Sequence, residues 1–366
     1  MNLLTDIDKV YSGALGIFNP YKALTHRINP DLPHFDAKAY KINPHYQKVY
    51  DKLFVASSQG MKCGELKSLK GKKDIEYPIF IKPRYGHMTA SSKYCYKIKK
   101  YEDLVPYLDK PDMMWSEFVD AKETMTDFIL VDGTIVYQLT YIYSEKQNGF
   151  ADVWKYISPD NQPPAEVVEW VKKNMDGYTG PLNVQYRSTK IIEVGMRFAR
   201  SGMYLESTQN KVLIDTINEM WVTKSWTNRS EKELSFKPFY SFKCWSPIPI
   251  IYLLPQHLLD FIIWKYGGMT FYEYYFEPTG TSSTIFFQFL HRDFDKGMQL
   301  KVLLERIMLA ANVLIYIGLL AGIAVMLVYG CSTVLILVII VMLTGLDNSL
   351  IIVFNQLKNQ KQFVGL

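Results

Sequence analysis

Residues 183–200 read NVQYRSTKIIEVGMRFAR, and this stretch decides how the rest of the chain is read. PLNVQYR and TKIIEVGMRF are two short, largely apolar runs that meet at Ser188-Thr189, which predicts two neighbouring strands joined by a tight turn. If those strands pair, Gln185 and Glu193 can point to one face and share an oxygen-liking divalent ion. Arg197 and Arg200 follow closely enough to meet phosphate oxygens. Ordinary surface salt bridges are the competing reading of such a cluster taken alone.

Two earlier segments carry the same kind of chemistry. Residues 77–98, YPIFIKPRYGHMTASSKYCYKI, form a short apolar strand that delivers Lys82 at its end and then a small-residue loop from Gly86 to Ser92. Such a loop can give backbone N–H and hydroxyl donors to a triphosphate, while the lysine adds a point charge. Residues 116–127, SEFVDAKETMTD, place the carboxylates of Glu117 and Glu123 six residues apart, just after a predicted strand at 113–119. Around these segments the spacing predicts helices at 46–60, 101–109, 163–175 and 208–221. A hairpin at 127–143 is expected to turn at Asp132-Gly133. Strands and helices alternate without the rhythm of a doubly wound sheet, which indicates an α+β or mixed α/β plan.

In this order, IKPRYG–loop, SEFVDAKE and NVQYR…IIEVGMR, the chain resembles the ATP-grasp ligases, and the last element is most similar to carbamoyl-phosphate-synthetase-type members. The resemblance covers about residues 46–225 and implies the two-subdomain ATP-grasp fold with ATP and Mg2+ (or Mn2+) bound. It makes Lys82 and Arg197 the catalytic cations on the phosphates, and Lys52 an earlier basic residue that also approaches the nucleotide. His87, Thr89, Ser91 and Ser92 fall in the phosphate-covering loop. Glu117, Phe118 and Val119 match the hinge that reads adenine through its backbone, and Glu123 the ribose-side carboxylate. Gln185 and Glu193 match two magnesium ligands. The sequence departs from the family at Gly195, where Glu-x-Asn-x-Arg has its asparagine, so the metal site is expected to lack one oxygen. The loop is also poor in glycine, with His87, Met88 and Lys93 in it.

Two functions are compatible with these matches. One is a ligase in which ATP phosphorylates a carboxylate and an amine or thiol displaces phosphate from the acyl phosphate. The other is a catalytically inactive relative that serves as a membrane-bound structural or scaffold protein, for instance of a virus. The carboxylate and the nucleophile are not named by the sequence.

The tail sets the cellular context. From Ile307 to Leu346 there is no Asp, Glu, Lys or Arg. As one helix this run would reach roughly 60 Å, about twice the hydrocarbon core of a bilayer. The expectation is a two-helix transmembrane hairpin, with spans at about 307–328 and 332–353 and the turn at Tyr329–Ser332. A pair of buried core helices is the alternative. Lys301 and Arg306 before the run, and Lys358 and Lys361 after it, place the soluble domain and both termini on the cytoplasmic side. Residues 255–264 read either as a short helix at the lipid surface, with Trp245, Tyr252 and Trp264 at headgroup depth, or as a core helix. The domain plan is therefore an irregular, Asn-Pro-punctuated arm (1–45), an ATP-grasp-like domain (46–225), an aromatic-rich connector (226–300) and the hairpin with a short basic tail (301–366).

Composition excludes other classes. The net charge of +5 is mild and the lysines are scattered, without the basic stripe of a nucleic-acid binder. Cys63, Cys95, Cys244 and Cys331 lie far apart and form no CxxC pair, against both a disulfide scaffold and a zinc knuckle. The start, MNLLTDIDKVYSGALG, shows no cleavable export signal.

Overall fold

A computed structural model describes residues 27–72, 74–88, 94–146, 152–247, 256–271 and 284–328. The chain divides into two compact units. The larger holds His26–Glu145 and Lys155–Pro238, and the other holds Lys146–Trp154 together with the chain from Phe239 onward.

The larger unit opens with helix α1 (Asp36–Ile42), a 3-10 segment (Pro44–Tyr50) and helix α2 (Lys52–Ser57). Both helices correct the sequence reading. The arm expected to be irregular contains α1, because the DAKAYKI run between Pro33 and Asn43 is free of helix breakers and Ala39 is buried. The single helix expected over 46–60 is broken at Asp51, whose backbone is extended (φ −80°, ψ 101°). There the carboxylate accepts from Leu53 N (2.9 Å) and receives Arg84 through Nε (2.9 Å) and Nη2 (2.6 Å). A two-point arginine pair and an N-cap outweigh one more turn of a short helix.

Strands β1 (Cys63–Glu65), β2 (Ile79–Pro83), β3 (Tyr96–Ile98) and β4 (Met113–Glu117) form an antiparallel sheet in the order β1-β4-β2-β3. One face packs Ile79, Ile81, Ile98 and Met113 on Leu66, Leu69 and Leu104 of helix α3 (Tyr101–Leu104). Because side chains alternate along a strand, burying Ile79 and Ile81 sends Lys82 to the opposite face.

The second sheet of this unit is also antiparallel. It comprises β5 (Glu123–Val131), β6 (Thr134–Tyr143), β7 (Trp154–Ser158), β8 (Gly180–Arg187) and β9 (Lys190–Gly195), in the order β7-β6-β5-β8-β9. The β5–β6 hairpin turns at Asp132-Gly133 as expected, with positive φ at both residues (47° and 75°), the conformation a tight right-twisted hairpin needs. Helix α4 (Ala165–Asn174) lays Val167, Trp170 and Val171 on Phe128, Leu130, Leu182 and Val184. Ala39 of α1, Val49, Tyr50 and Val55 of α2 join the same core, which ties the N-terminal helices to this sheet. Helices α5 (Met203–Ser207), α6 (Lys211–Thr223) and α7 (Glu231–Leu234) follow.

The other unit contains β10 (Phe239–Ser246), helix α8 (Gln256–Lys265), β11 (Met269–Thr270), β12 (Thr284–His291) and helix α9 (Phe294–Val328), with strand order β11-β12-β10. Phe242, Phe289, Leu259, Ile263, Leu300, Leu304 and Met308 share its core. Helix α8 buries Leu259 and Ile263 in this core, as the core reading expects, and leaves Phe261 and Trp264 57% and 71% exposed. Helix α9 begins well before the expected span at 307. Its first half buries Leu300, Leu304, Met308 and Asn312 at four-residue spacing, and beyond Asn312 no described residue of the helix is buried. Leu314 and Leu320 are 69% and 67% exposed. Among the described residues one helix is thus long and apolar enough to cross a membrane. The second expected span and the turn at Tyr329–Ser332 lie outside the described residues, as do Tyr252, Thr89, Ser91 and Ser92.

Candidate functional site

In the larger unit, three separate stretches of chain deliver charge to one place. Lys82, at the end of β2, donates from Nζ to the Ile192 carbonyl of β9 at 2.7 Å. Lys52, the first residue of α2, is held by its backbone N–H on the Arg84 carbonyl (2.9 Å) and brings Nζ to 3.4 Å from Glu193 Oε1. The loop after β2 closes on that pair, since a Cβ at Gly86 would lie 3.5 Å from both Glu193 Oε1 and Lys52 Cε. Both lysines are buried, at 6% and 7% exposure, while Glu193 keeps 35% of its side chain open.

Burial pushes the Lys82 ammonium down to about 8, with repulsion from Lys52 adding to it and Glu193 opposing. Among the described residues Lys82 has no carboxylate at ion-pair distance. Two buried cations thus have one acid at ion-pair distance, Glu193, with Glu123 acting on Lys82 from farther away, and an anionic ligand is what would relieve the excess charge.

The strand register sets Gln185 of β8 directly opposite Glu193 of β9, on one face. Among the described residues no three His, Cys, Asp or Glu side chains cluster as a self-contained metal cage. A carboxylate and an amide oxygen suit Mg2+, which takes one or two carboxylates and completes its shell with phosphate and water. The residues present therefore fit a metal shared with a polyphosphate.

Arg197 is engaged within the protein. Its Nε and Nη2 donate to Asp36 Oδ2 (3.2 and 2.9 Å), and Nη1 donates to Asn183 Oδ1 (3.3 Å). Asn183 donates in turn to Asp127 Oδ1 (2.8 Å). Asp127 is fully buried and also accepts from Tyr141 Oη (2.6 Å) and Ala199 N (2.9 Å). Burial raises its carboxyl to about 6, and these donors together with Arg197 limit the rise.

The other expected residues are placed as follows. Glu117 ends β4, and its N–H donates to the Lys62 carbonyl (2.8 Å). The Phe118 ring lies 3.7 Å from the Lys97 ammonium, and Val119 packs on Ala56, Met61 and Met114. Glu123 opens β5 and pairs with Arg187 across the sheet at 3.5 Å. His87 stacks on Tyr40 of α1 (centroids 3.7 Å apart, planes 13° apart), its Nδ1 is buried without a partner among the described residues, and burial lowers its pKa.

Sequence reasoning did not find Asp36, Tyr40, Tyr50 or Asp127. Asp127 carried a signal, an acid inside the apolar strand DFILV. Asp36 carried none, because its partner lies far along the chain.

No protein-family model matches the sequence, and no curated protein matches it. Among solved structures, the chain is similar to an L-amino acid ligase from Bacillus licheniformis, with a TM-score of 0.52 and 14% identity over 76% of this chain and 73% of that one. The fold is the ATP-grasp fold. An N5-carboxyaminoimidazole synthetase from Staphylococcus aureus, complexed with ADP, aligns more loosely (TM-score 0.49, 16% identity, 69% of this chain and 70% of that one). At such identities the likeness is one of architecture, and chemistry has to be argued from the residues.

Proposed function

We propose that the chain binds Mg-ATP (or Mn-ATP) between the two sheets of its larger unit and uses it to activate a carboxylate, which an amine or thiol then attacks. The observation that carries this reading is the convergence of Lys52, Lys82 and Glu193 from three distant segments into one niche with surplus positive charge. Lys52 and Lys82 neutralise phosphate oxygens, and the loop that starts at Gly86 covers them, with Thr89, Ser91 and Ser92 as hydroxyl donors. Backbone groups of Glu117, Phe118 and Val119 hold adenine at the link between the two sheets, with Glu123 on the ribose side. Gln185 and Glu193 hold the metal, which when bound neutralises charge on the transferred phosphoryl group. Arg197 stands beside the phosphates. Positioning and charge neutralisation are the whole of the protein's contribution, so no separate nucleophile is needed.

In this reading, helix α9 anchors the protein in a bilayer and residues 332–353 return as a second span, leaving both termini cytoplasmic. The charge-free run, the exposed apolar second half of α9 and the flanking Lys301, Arg306, Lys358 and Lys361 support it.

The test is calorimetric titration of Mg-ATP into the full chain in detergent, followed by phosphate release against a panel of carboxylates and amines. Binding should be present in the wild type and lost in Lys82→Ala and Glu193→Ala. No binding by the wild type ends the reading, and binding without turnover marks an inactive relative. Extraction of membranes with alkaline carbonate should leave the chain in the pellet, and release into the supernatant would refute the anchor.

A further inference from the structure

Gly195 sits on β9 two residues beyond Glu193, on the same face of the strand and buried. A Cβ at this position would lie 2.6 Å from Asp36 Oδ1 and 3.6 Å from Arg197 Cζ. No side chain can stand at 195 while the Asp36 carboxylate is in place. The shorter distance is informative in itself. Standard bond lengths put the side-chain oxygen of an Asp or Asn about 2.4 Å from its own Cβ. Asp36 therefore sets a carboxylate oxygen at nearly the radius from the strand at which a residue 195 with an oxygen would set its own.

Asp36 is held there firmly. Tyr50 Oη donates to Oδ1 (3.1 Å) and itself accepts from Met196 N (2.9 Å), so α1, the following turn and β9 are tied at one point. Arg197 takes Oδ2 through two hydrogen bonds and supplies the countercharge to the group. A carboxylate oxygen has two lone pairs, and among the described residues Oδ1 uses one, on Tyr50. At the other end of α1, Tyr40 stacks on His87 of the loop over the Lys52–Glu193 pair.

We infer that Asp36 serves as the side chain that position 195 lacks, supplying a second acidic oxygen beside Glu193 to the metal–triphosphate complex and fixing Arg197 next to it. This rests on the Mg-ATP reading above. It makes a helix outside both sheets part of the binding site, and it turns Gly195 from a missing ligand into the vacancy that admits one.

The experiment measures Mn2+ bound in the presence of ATP by electron paramagnetic resonance, with the full chain in detergent and with melting temperature as a fold control. Asp36→Ala and Asp36→Leu should weaken Mn-ATP binding about 10- to 100-fold, the usual range for losing a supporting group at a metal site. Asp36→Asn, which keeps one oxygen but turns an amide N–H₂ toward Arg197, should weaken binding less than Asp36→Ala. Gly195→Asn alone should weaken binding because its Cβ collides with Asp36. Combining Asp36→Ala with Gly195→Asn should restore binding, since the oxygen then comes from the strand. Wild-type-like binding by Asp36→Ala overturns the inference and leaves the Mg-ATP reading standing. A double variant that fails to fold, or folds and binds no better than Asp36→Ala, overturns it too. No Mn-ATP binding by the wild type removes both.

Discussion

Two charged networks lie side by side in the larger unit, and they differ in one respect. Lys52, Lys82 and Glu193 form a niche with one cation too many, whereas Asp36, Arg197, Asn183 and Asp127 form a chain in which each charged group meets a partner. Both are largely buried and both border the proposed nucleotide site, so what separates them is the charge balance of the free protein. A balanced network stabilises the fold and resists change. An unbalanced one costs stability in the free protein and is completed by a ligand.

Substitution should separate the two networks by its effect on stability, since residues of both are proposed to meet the nucleotide. Arg197→Ala takes the cation from Asp36, leaving it Tyr50 as a partner, and should weaken Mg-ATP binding and lower stability in urea by about 3–5 kcal/mol, the cost of breaking a buried pair. Lys82→Met removes a charge that the free protein does not balance, so stability should hold or rise while Mg-ATP affinity falls about 100-fold, or roughly 2.7 kcal/mol. Equal losses of stability in the two variants would erase the distinction drawn here.

The pH dependence sharpens the same contrast. Lys82 is depressed from 10.5 to about 8, so its buried charge destabilises the free protein below pH 8, and that cost is relieved as pH rises from 8 to 10.5. Over the same window the neutral amine loses its hold on phosphate. Mg-ATP affinity should therefore fall about tenfold or more between pH 7 and 9.5, and Lys82→Met, already weakened, should show a flatter profile. An unchanged wild-type affinity across that range would mean that Lys82 does not contact the nucleotide. The smallest effect on nucleotide affinity is expected at Asp127→Asn. There an amide N–H₂ meets groups that are themselves donors, and urea titration should show a loss of about 1–3 kcal/mol with nucleotide affinity little changed.

Much of this niche was legible in the sequence because its parts are local. The NVQYR and TKIIEVG runs announce a hairpin, and the hairpin's register alone sets Gln185 against Glu193. Strand alternation in IFIK is enough to turn Lys82 away from the core that holds Ile79 and Ile81. The balanced network was not legible, since Asp36 and Arg197 are joined only by the folded chain and no periodicity relates them. The break at Asp51 was hidden for the same reason: YQKVYDKLF is helical by spacing, and the distant Arg84 adds to the Asp51 N-cap what makes the interruption favourable. In the tail, the charge-free run showed where polarity ends. It did not show where the helix begins, because the stripe of Leu300, Leu304 and Met308 takes its meaning from the core it packs into.

The central claim is that Lys52 and Lys82 face a bound triphosphate, and chemical labelling tests it most directly. A lysine-reactive acyl phosphate of ATP, incubated with the full chain and mapped by peptide mass spectrometry, should modify Lys52 or Lys82, and excess Mg-ATP should suppress that modification. Labelling spread over exposed lysines such as Lys62 and Lys211, with no protection by Mg-ATP, would contradict the account.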